Sequence, residues 1–401
     1  MRFLFKAIGR APFCSQTENA PAKPGENPLR TLRVSAVKFA AGLTYSSLAF
    51  CLAFSSCGAG TSRNSNAQQT NPEAQTKSAA EKKSRAAVDP NKFALVVTSV
   101  GGEEAYTRKF TDQAGRLYDA LTNQLGFVEK NVFLLTETAG GGPENGASGD
   151  DAAHSRRATA AEVRKSFAAI KTAASPESLV LIVLIGHGTF DSQQAKFNLI
   201  GPDLTAKDYA DLVAALPTRR VVFVNCSSSS GEFIKPLSSP GRVVITATRS
   251  GNEQNATVFA EHLIAGLTGL AADADKNGRV SVLEAFNYAT RTTADWYKKS
   301  NRLATEHALI DDNGDGTGHE EATAGDGSIA KALYIDSKPI EQAAGDAELE
   351  RLLGEKQRLE EAVGKLKARK AEMKEEDYER ELEALFVELA KVNQQIKARQ
   401  K

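Results

Sequence analysis

A histidine and a cysteine, 39 residues apart, each follow a short apolar run. The run Leu179–Ile185 leads into Gly186-His187-Gly188, and the run 221–224 leads into Asn225-Cys226 and four serines. A thiol becomes a strong nucleophile when a neighbouring imidazole lowers its pKa or accepts its proton. The pair therefore predicts covalent catalysis, with Cys226 as the nucleophile and His187 as the general base.

The same two residues also have a purely structural interpretation. Cys226 could be a buried strand-end cysteine, and His187 a turn histidine with a satisfied hydrogen bond. Their occurrence together, at equivalent strand ends, favours the dyad. Glycines beside His187 would let a substrate backbone approach closely. Small residues after Cys226 would leave room for the attacked carbonyl, and backbone N–H groups there could hold an oxyanion.

Strand-like and helix-like segments alternate around these residues. Apolar, β-branched runs predict strands at 93–100, 132–135, 179–185, 221–224 and 243–246, and helical spacing predicts helices at 106–125, 163–170 and 209–216. This alternation predicts an α/β fold with a mostly parallel sheet flanked by helices. Because function in such sheets lies beyond the carboxyl ends of the strands, His187 and Cys226 are expected at one edge.

The order of the two motifs resembles that of the caspase-like cysteine peptidases. Within that clan, the segments GHGTFDSQQAKFNLIGPDLT, VVFVNCSSSSGEF and GRVVITATRSGNEQNATVFAEHL are similar to bacterial secreted members of the legumain-like branch. The resemblance covers roughly residues 93–336. It implies a caspase-like fold, an endopeptidase acting on protein or peptide substrates, and a preference for asparagine or aspartate. It also implies His187 as the base and Cys226 as the nucleophile.

Two departures from that family keep a second function open. Legumains have Ala-Cys-Glu-Ser-Gly at the nucleophile, whereas this chain has Asn225-Cys226 and four serines before Gly231. Bacterial relatives of this type often lack the cysteine. The alternative is therefore a catalytically inactive, calcium-binding scaffold that binds an envelope protein.

The substrate pocket is the least defined part of the site. Its expected place is the segment 248–253, with Arg249, Ser250 and Asn252 as candidate pocket residues, although the segment also reads as an ordinary polar loop. A caspase-like enzyme that cuts after basic residues would differ from the preferred hypothesis only in this pocket.

Residues 273–284 match the twelve-residue EF-hand calcium loop at every position. Gly278 allows the sharp turn, Val280 packs inward, and helical patterns flank the loop at 262–270 and 282–297. The predicted calcium ligands are the oxygens of Asp273, Asp275, Asn277, Arg279 (backbone), Ser281 (through water) and Glu284. Because calcium is plentiful outside the cytoplasm, the expected role is structural.

A second acidic turn begins like an EF-hand loop but ends differently. Asp311, Asn313 and Asp315 have the required spacing, but Ala322 occupies the twelfth position, where the loop needs glutamate. The turn could bind calcium with help from Glu320 or Glu321, or it could be a simple turn. No organic cofactor is expected, since the glycine-rich stretch 140–151 lacks a Gly-Lys-Ser/Thr ending.

The N-terminus resembles a secretory signal. Basic residues precede an apolar run at 39–54, and Cys57 follows two serines, as in a bacterial lipobox. We therefore predict a signal segment at 1–57 with acylation of Cys57, and a flexible tether at 58–91. A plain secretory signal or an uncleaved anchor is the alternative. The predicted location is extracytoplasmic, in the periplasm or at the outer membrane of a bacterium, held by the lipid.

The peptidase-like domain is expected to span 92–338, and a helical arm 339–401. Leucines at heptad spacing, with a break near 374–377, predict a coiled-coil hairpin. The alternative is one long helix that dimerises, and self-association through the arm would follow from that alternative. Lysine plus arginine equals aspartate plus glutamate, at 50 each, which argues against a nucleic-acid partner.

Overall fold

The computed structural model describes residues 87–138, 155–322, 325–343 and 345–399. The predicted signal segment, the acylation site Cys57, most of the tether at 58–91 and the glycine-rich loop lie outside the described residues.

A seven-stranded sheet forms the centre of the fold. The strands of the described part of the chain are β1 Lys92–Thr98, β2 Val132–Thr136, β3 Ser155–Arg157, β4 Leu179–Ile185, β5 Gly188–Phe190, β6 Ala195–Phe197, β7 Leu204–Thr205, β8 Val221–Asn225, β9 Arg242–Thr246 and β10 Leu309–Asp311. The large sheet has the order β10-β9-β8-β4-β1-β2-β3, and β5, β6 and β7 form a small separate sheet. Neighbours in the large sheet are parallel, except that β10 runs antiparallel to β9.

Helices cover both faces of the large sheet. Those of the described residues are α1 Glu104–Asn123, α2 Ala160–Ala173, α3 Ala206–Ala214, α4 Ile234–Leu237, α5 Phe259–Thr268, α6 Val282–Lys299, α7 Ser328–Ala332, α8 Lys338–Ala343, α9 Ala347–Ala368 and α10 Glu375–Arg399. Helices α1, α5 and α6 pack on one face, and α2, α3 and α4 pack on the other. The predicted α/β fold with a mostly parallel, helix-flanked sheet is confirmed.

The central strand β4 shows why the sheet needs two helical layers. All seven of its side chains are buried, and they alternate between the two cores. Leu181, Val183 and Ile185 face α1, α5 and α6, whereas Val180, Ile182 and Leu184 face the opposite layer.

The last two helices fold back on one another. Arg399, at the end of α10, bonds to Asp346, which caps the start of α9, with 2.6 Å between Nε and Oδ2. Leu349, Leu352 and Leu353 of α9 pack against Val392 and Ile396 of α10. The pair is therefore antiparallel, and its coiled-coil character stays a prediction. Among the described residues, no helix combines the length and the hydropathy that crossing a membrane requires.

Candidate active site

His187 and Cys226 lie at the carboxyl ends of two neighbouring parallel strands. The ladder between β4 and β8 pairs Leu184 with Asn225, and the N–H of Cys226 extends it with a 2.8 Å bond to the Leu184 carbonyl. Cys226 belongs to the core on the α1, α5 and α6 face, which also contains Phe110 of α1. The His187 ring packs against the same Phe110, with 5.0 Å between ring centroids. Thiol and imidazole therefore lie on the same face of the sheet.

The His187 ring is held by aromatic contacts, and its backbone is held by Ser99. Tyr106 and Phe110 of α1 contact the ring edge to face. The backbone N–H of His187 donates to Ser99 Oγ at 2.7 Å, and the backbone of Gly101 lies close enough to the ring to raise its pKa slightly. Burial and the Lys109 ammonium lower the pKa of His187. The imidazole is therefore neutral near pH 7 and free to accept a proton.

The Cys226 thiol is buried, with 1% of the residue exposed. Burial, and to a lesser extent the carboxylate of Glu306, raises the pKa of the thiol well above its ordinary value. Within the described residues, no hydrogen bond joins the thiol to His187. The arrangement in this conformation is thus a neutral thiol near a neutral imidazole, and not a thiolate–imidazolium ion pair.

Two charged residues beside the cysteine were not found from the sequence. The buried Glu306 carboxylate accepts N–H bonds from Val258 (2.8 Å) and Phe259 (3.1 Å) at the start of α5. Lys109 Nζ bonds to the Thr257 carbonyl at 3.0 Å, and the Thr257 hydroxyl donates to the Cys226 carbonyl. Glu306 is an isolated acidic residue far from Cys226 along the chain, so no spacing pattern indicates it.

The four serines after Cys226 are buried and form a hydrogen-bonded turn. Ser228 Oγ accepts from the Gly188 N–H (3.1 Å) and donates to its carbonyl (3.0 Å), and a Cβ on Gly188 would lie 2.6 Å from the Ser228 carbonyl oxygen. The room beside Gly188 is therefore filled by this turn, whereas the sequence suggested room for a substrate. The N–H groups of Ser227 and Ser229 are also engaged, by Asn225 Oδ1 and the Glu253 carbonyl.

The candidate pocket residues lie in the loop after β9. The Arg249 guanidinium forms ion pairs with Glu253 (3.4 Å) and Glu320 (3.7 Å), and Ser250 Oγ accepts from the Asn252 N–H. Glu253 also contacts the His307 ring, with 2.5 Å between Oε1 and Nδ1. Arg249 and the Glu253–His307 pair thus give this end of the sheet both signs of charge.

The loop 273–284 brings together three carboxylates. Oxygens of Asp273, Asp275 and Glu284 all lie within 4.8 Å of one another, a group that could hold a metal ion. Gly278 has a φ of 81°, and its N–H donates to Asp273 at 2.9 Å. The Ser281 hydroxyl, expected to hold a water, forms a capping box with Glu284 at the start of α6.

The remaining two predicted ligands lie on the same turn. The Asn277 side-chain oxygen accepts the Arg279 N–H at 2.8 Å. The Arg279 guanidinium points away from the acids, since it pairs with Asp336 and lies over the Tyr334 ring. Only the backbone carbonyl of Arg279 remains available as a ligand, as the EF-hand pattern requires.

Comparison with known proteins adds little to this geometry. No family model matches the chain, and no curated protein matches it. Among solved structures, the crystal structure of protein GSU0716 from Geobacter sulfurreducens is 13% identical and has a TM-score of 0.34. The match covers 55% of this chain and 92% of that one. A structural similarity at this level does not support an inference about function.

Proposed function

We propose that this chain is a legumain-like cysteine endopeptidase whose resting state is latent. The observation that supports it is the register of β4 and β8, which puts Cys226 and His187 at adjacent strand ends and on one face. The resemblance of the surrounding segments to the legumain-like branch gives the reaction type. The substrates are proteins or peptides.

The two side chains would divide the reaction in the usual way for a thiol peptidase. His187 accepts the thiol proton as the Cys226 sulfur attacks the peptide carbonyl carbon. The C–N bond breaks, and the imidazolium returns the proton to the leaving amine. Water then hydrolyses the thioester, again with His187 as the base. A neutral histidine suits this role, because a protonated ring could not accept the proton.

Latency follows from the burial of the thiol. A peptide carbonyl cannot reach a sulfur atom enclosed by the α1, α5 and α6 core, and the buried thiol stays protonated. Catalysis would require the 226–230 turn or the facing end of α1 to open. Such local opening costs less free energy than global unfolding.

A second candidate function is favoured by the same burial. If the thiol is a core residue and the serine turn is structural, the domain is a non-catalytic scaffold stabilised by calcium. Its exposed helical surfaces would then bind a partner protein of the envelope.

Replacement of Cys226 by alanine separates the two functions. With calcium present and a fluorogenic peptide library as substrate, we expect Cys226→Ala to lower kcat/KM by at least about 10³-fold, the scale typical for loss of a nucleophile. His187→Ala should cost a similar factor, and the double variant little more, because the two act as a unit.

Ser166→Ala is the matched control. It also trims a small buried side chain, on α2, and the Ser166 hydroxyl has no hydrogen-bond partner to lose. Its activity should equal that of the wild type. Undiminished hydrolysis by Cys226→Ala would leave the scaffold as the function.

We also propose that the loop 273–284 binds calcium as a structural ion. Its donors are oxygens only, which suits a hard cation such as calcium and not zinc. The proposed ligands are Asp273, Asp275, Asn277, the Arg279 carbonyl and Glu284, with a water beside Ser281. The membrane tether through Cys57 and the extracytoplasmic location remain proposals from the N-terminal sequence, and self-association remains one from the arm.

Glu284→Gln should weaken calcium binding at this loop by at least about tenfold. Loss of a group that only orients a ligand already costs 10–100-fold, and Glu284 would be a direct, bidentate ligand. Calcium should raise the melting temperature of the wild type, and much more calcium should be needed to raise that of Glu284→Gln. Equal calcium titrations of the two chains would contradict this assignment.

A further inference from the structure

The turn between Ile310 and His319 repeats the backbone pattern of the loop 273–284. Its base is closed by two 2.9 Å backbone hydrogen bonds between Ile310 and His319. Within it, the Asn313 side chain accepts the Asp315 N–H (2.8 Å), and the Asp315 side chain accepts the Thr317 N–H (2.7 Å). The same pattern links Asp275, Asn277 and Arg279 in the other loop. The shared hydrogen-bond pattern shows that the two turns have a similar backbone conformation, and it does not by itself indicate a bound ligand.

The observation that points to a ligand is an unpartnered carboxylate oxygen. Asp311 is 1% exposed, and its Oδ1 accepts the Gly314 N–H at 3.0 Å, so the carboxylate faces the interior of the turn. Its Oδ2 is buried and has no hydrogen-bond partner. The Ser238 hydroxyl is close enough to lower the pKa of Asp311, but it accepts the Gly316 N–H and does not meet Oδ2 in hydrogen-bond geometry. The Arg242 guanidinium attracts the Asp311 carboxylate through space, but Oδ2 has no hydrogen-bond partner, and a buried oxygen without one is costly.

The neighbouring acid, Asp312, is occupied elsewhere. Its carboxylate accepts the N–H groups of Gly327, Ile329 and Ala330 at 2.8 Å each and so caps the start of α7. Asp326 likewise accepts the N–H groups of Asp312 and Asn313 and contacts His319. Asp311, Asn313 and Asp315 form hydrogen bonds within the turn, including one from Asn313 Nδ2 to Asp315 Oδ2 at 3.1 Å, and they are the three side chains left for a ligand.

We propose that this turn is a second cation site, with calcium held by Asp311 Oδ2, the side-chain oxygens of Asn313 and Asp315, and the Thr317 carbonyl. All of these donors are oxygens, and two are carboxylates, which matches the preference of calcium. Glu320, a candidate for the last ligand, is paired with Arg249. The remaining positions are then filled by water.

A site with so few protein ligands should bind weakly. Calcium sites of extracellular modules have dissociation constants of about 10⁻⁴–10⁻³ M, and fewer charged ligands mean weaker binding. The loop 273–284, with three carboxylates, should bind more tightly than the turn 311–317. Neither the peptidase proposal nor the first calcium loop is needed for this inference.

Equilibrium dialysis of the full chain against radioactive calcium, up to several millimolar, tests the proposal. We expect two ions per wild-type chain and one per Asp315→Asn chain, with the weaker class lost. Asp315 is exposed, so this substitution should not disturb folding, which far-UV circular dichroism would verify. Asp295→Asn, an exposed aspartate of α6 outside both loops, is the matched control and should bind two ions.

The outcomes distinguish this site from the first loop. One ion bound by both wild type and Asp315→Asn overturns the proposal, and so do two ions bound by both, because the second ion must then lie elsewhere. One ion in the wild type that Asp315→Asn abolishes and Glu284→Gln preserves would support this site while refuting the loop 273–284.

Discussion

Replacing Arg220 by alanine should lower the free energy of unfolding by about 3–5 kcal/mol, the cost typical of breaking a buried ion pair from one side. Arg220 precedes β8 and forms two parallel bonds to Glu361 of α9, 2.7 Å from Nε to Oε2 and 2.5 Å from Nη2 to Oε1. Glu361 is only 3% exposed. Without the guanidinium, its carboxylate would keep one side-chain donor, Gln357 Nε2 at 3.2 Å.

Urea unfolding followed by circular dichroism measures this loss, with Arg358→Ala as the control. Arg358 lies on α9, the helix that carries Glu361. Its side chain is 59% exposed, and its contacts to Glu177 and Glu355 are 3.7 and 3.8 Å long. Its replacement should change stability by at most about 1 kcal/mol. The apolar pair Arg220→Met with Glu361→Leu should recover most of the stability, since no charge is then left buried.

Hydrogen exchange would show where the stability is lost. If α9 is held on the domain by this pair, the amides of α9 and α10 should exchange faster in Arg220→Ala than in Arg358→Ala. Equal stabilities of the two alanine variants would mean that the pair contributes nothing to the docking of α9.

This ion pair also explains what the heptad pattern could and could not predict. Leucine spacing indicated two helices with a break near 374–377. Helices α9 and α10 are those two helices, but the break lies earlier, at 369–374. The pattern did not indicate the surface on which α9 packs, because Arg220 and the Ser328 carbonyl make that surface. The Ser328 carbonyl approaches Gly364 of α9 so closely that a Cβ there would lie 2.5 Å from the carbonyl oxygen. A helical pattern specifies a face of the helix and not its partner.

The strands of the sheet could be predicted from the sequence where burial on both faces restricts them to apolar residues. Strand β4 has the predicted bounds, because a strand covered on both faces admits only apolar residues over its whole length. The strands that the sequence analysis missed are three residues or shorter. They are β3, β5, β6, β7 and β10, in which too few residues alternate to reveal a period.

At the site, the strand ends were predictable, but the surroundings of the side chains were not. Parallel pairing alone places Cys226 next to β4. The burial of its thiol depends on α5 and α6, and the charges near it come from Lys109 on α1 and Glu306 before β10. These groups are distant in sequence, and only the tertiary fold brings them together.

The thiol of Cys226 should alkylate at least about 100-fold more slowly in the folded chain than in urea at pH 7.5. Burial excludes the reagent, and it also raises the pKa, so the reactive thiolate is scarce. The measurement uses a chain with Cys14, Cys51 and Cys57 replaced by alanine, in the presence of calcium. The same chain in urea is the reference, and its rate should level off near the ordinary thiol pKa of about 8.5.

The pH dependence decides what the dyad does at rest. Because the pKa is raised, the folded rate should keep increasing above pH 8.5, by up to about tenfold per unit, where the unfolded rate is already constant. If the alkylation rate of the folded chain levels off below pH 7.5, the Cys226 thiolate is instead stabilised by protonated His187. His187→Ala should then abolish this low-pH plateau. That result would refute latency but support the peptidase. If the Cys226 thiol alkylates slowly and the chain nevertheless hydrolyses peptides, the 226–230 turn must open before the thiol attacks the substrate.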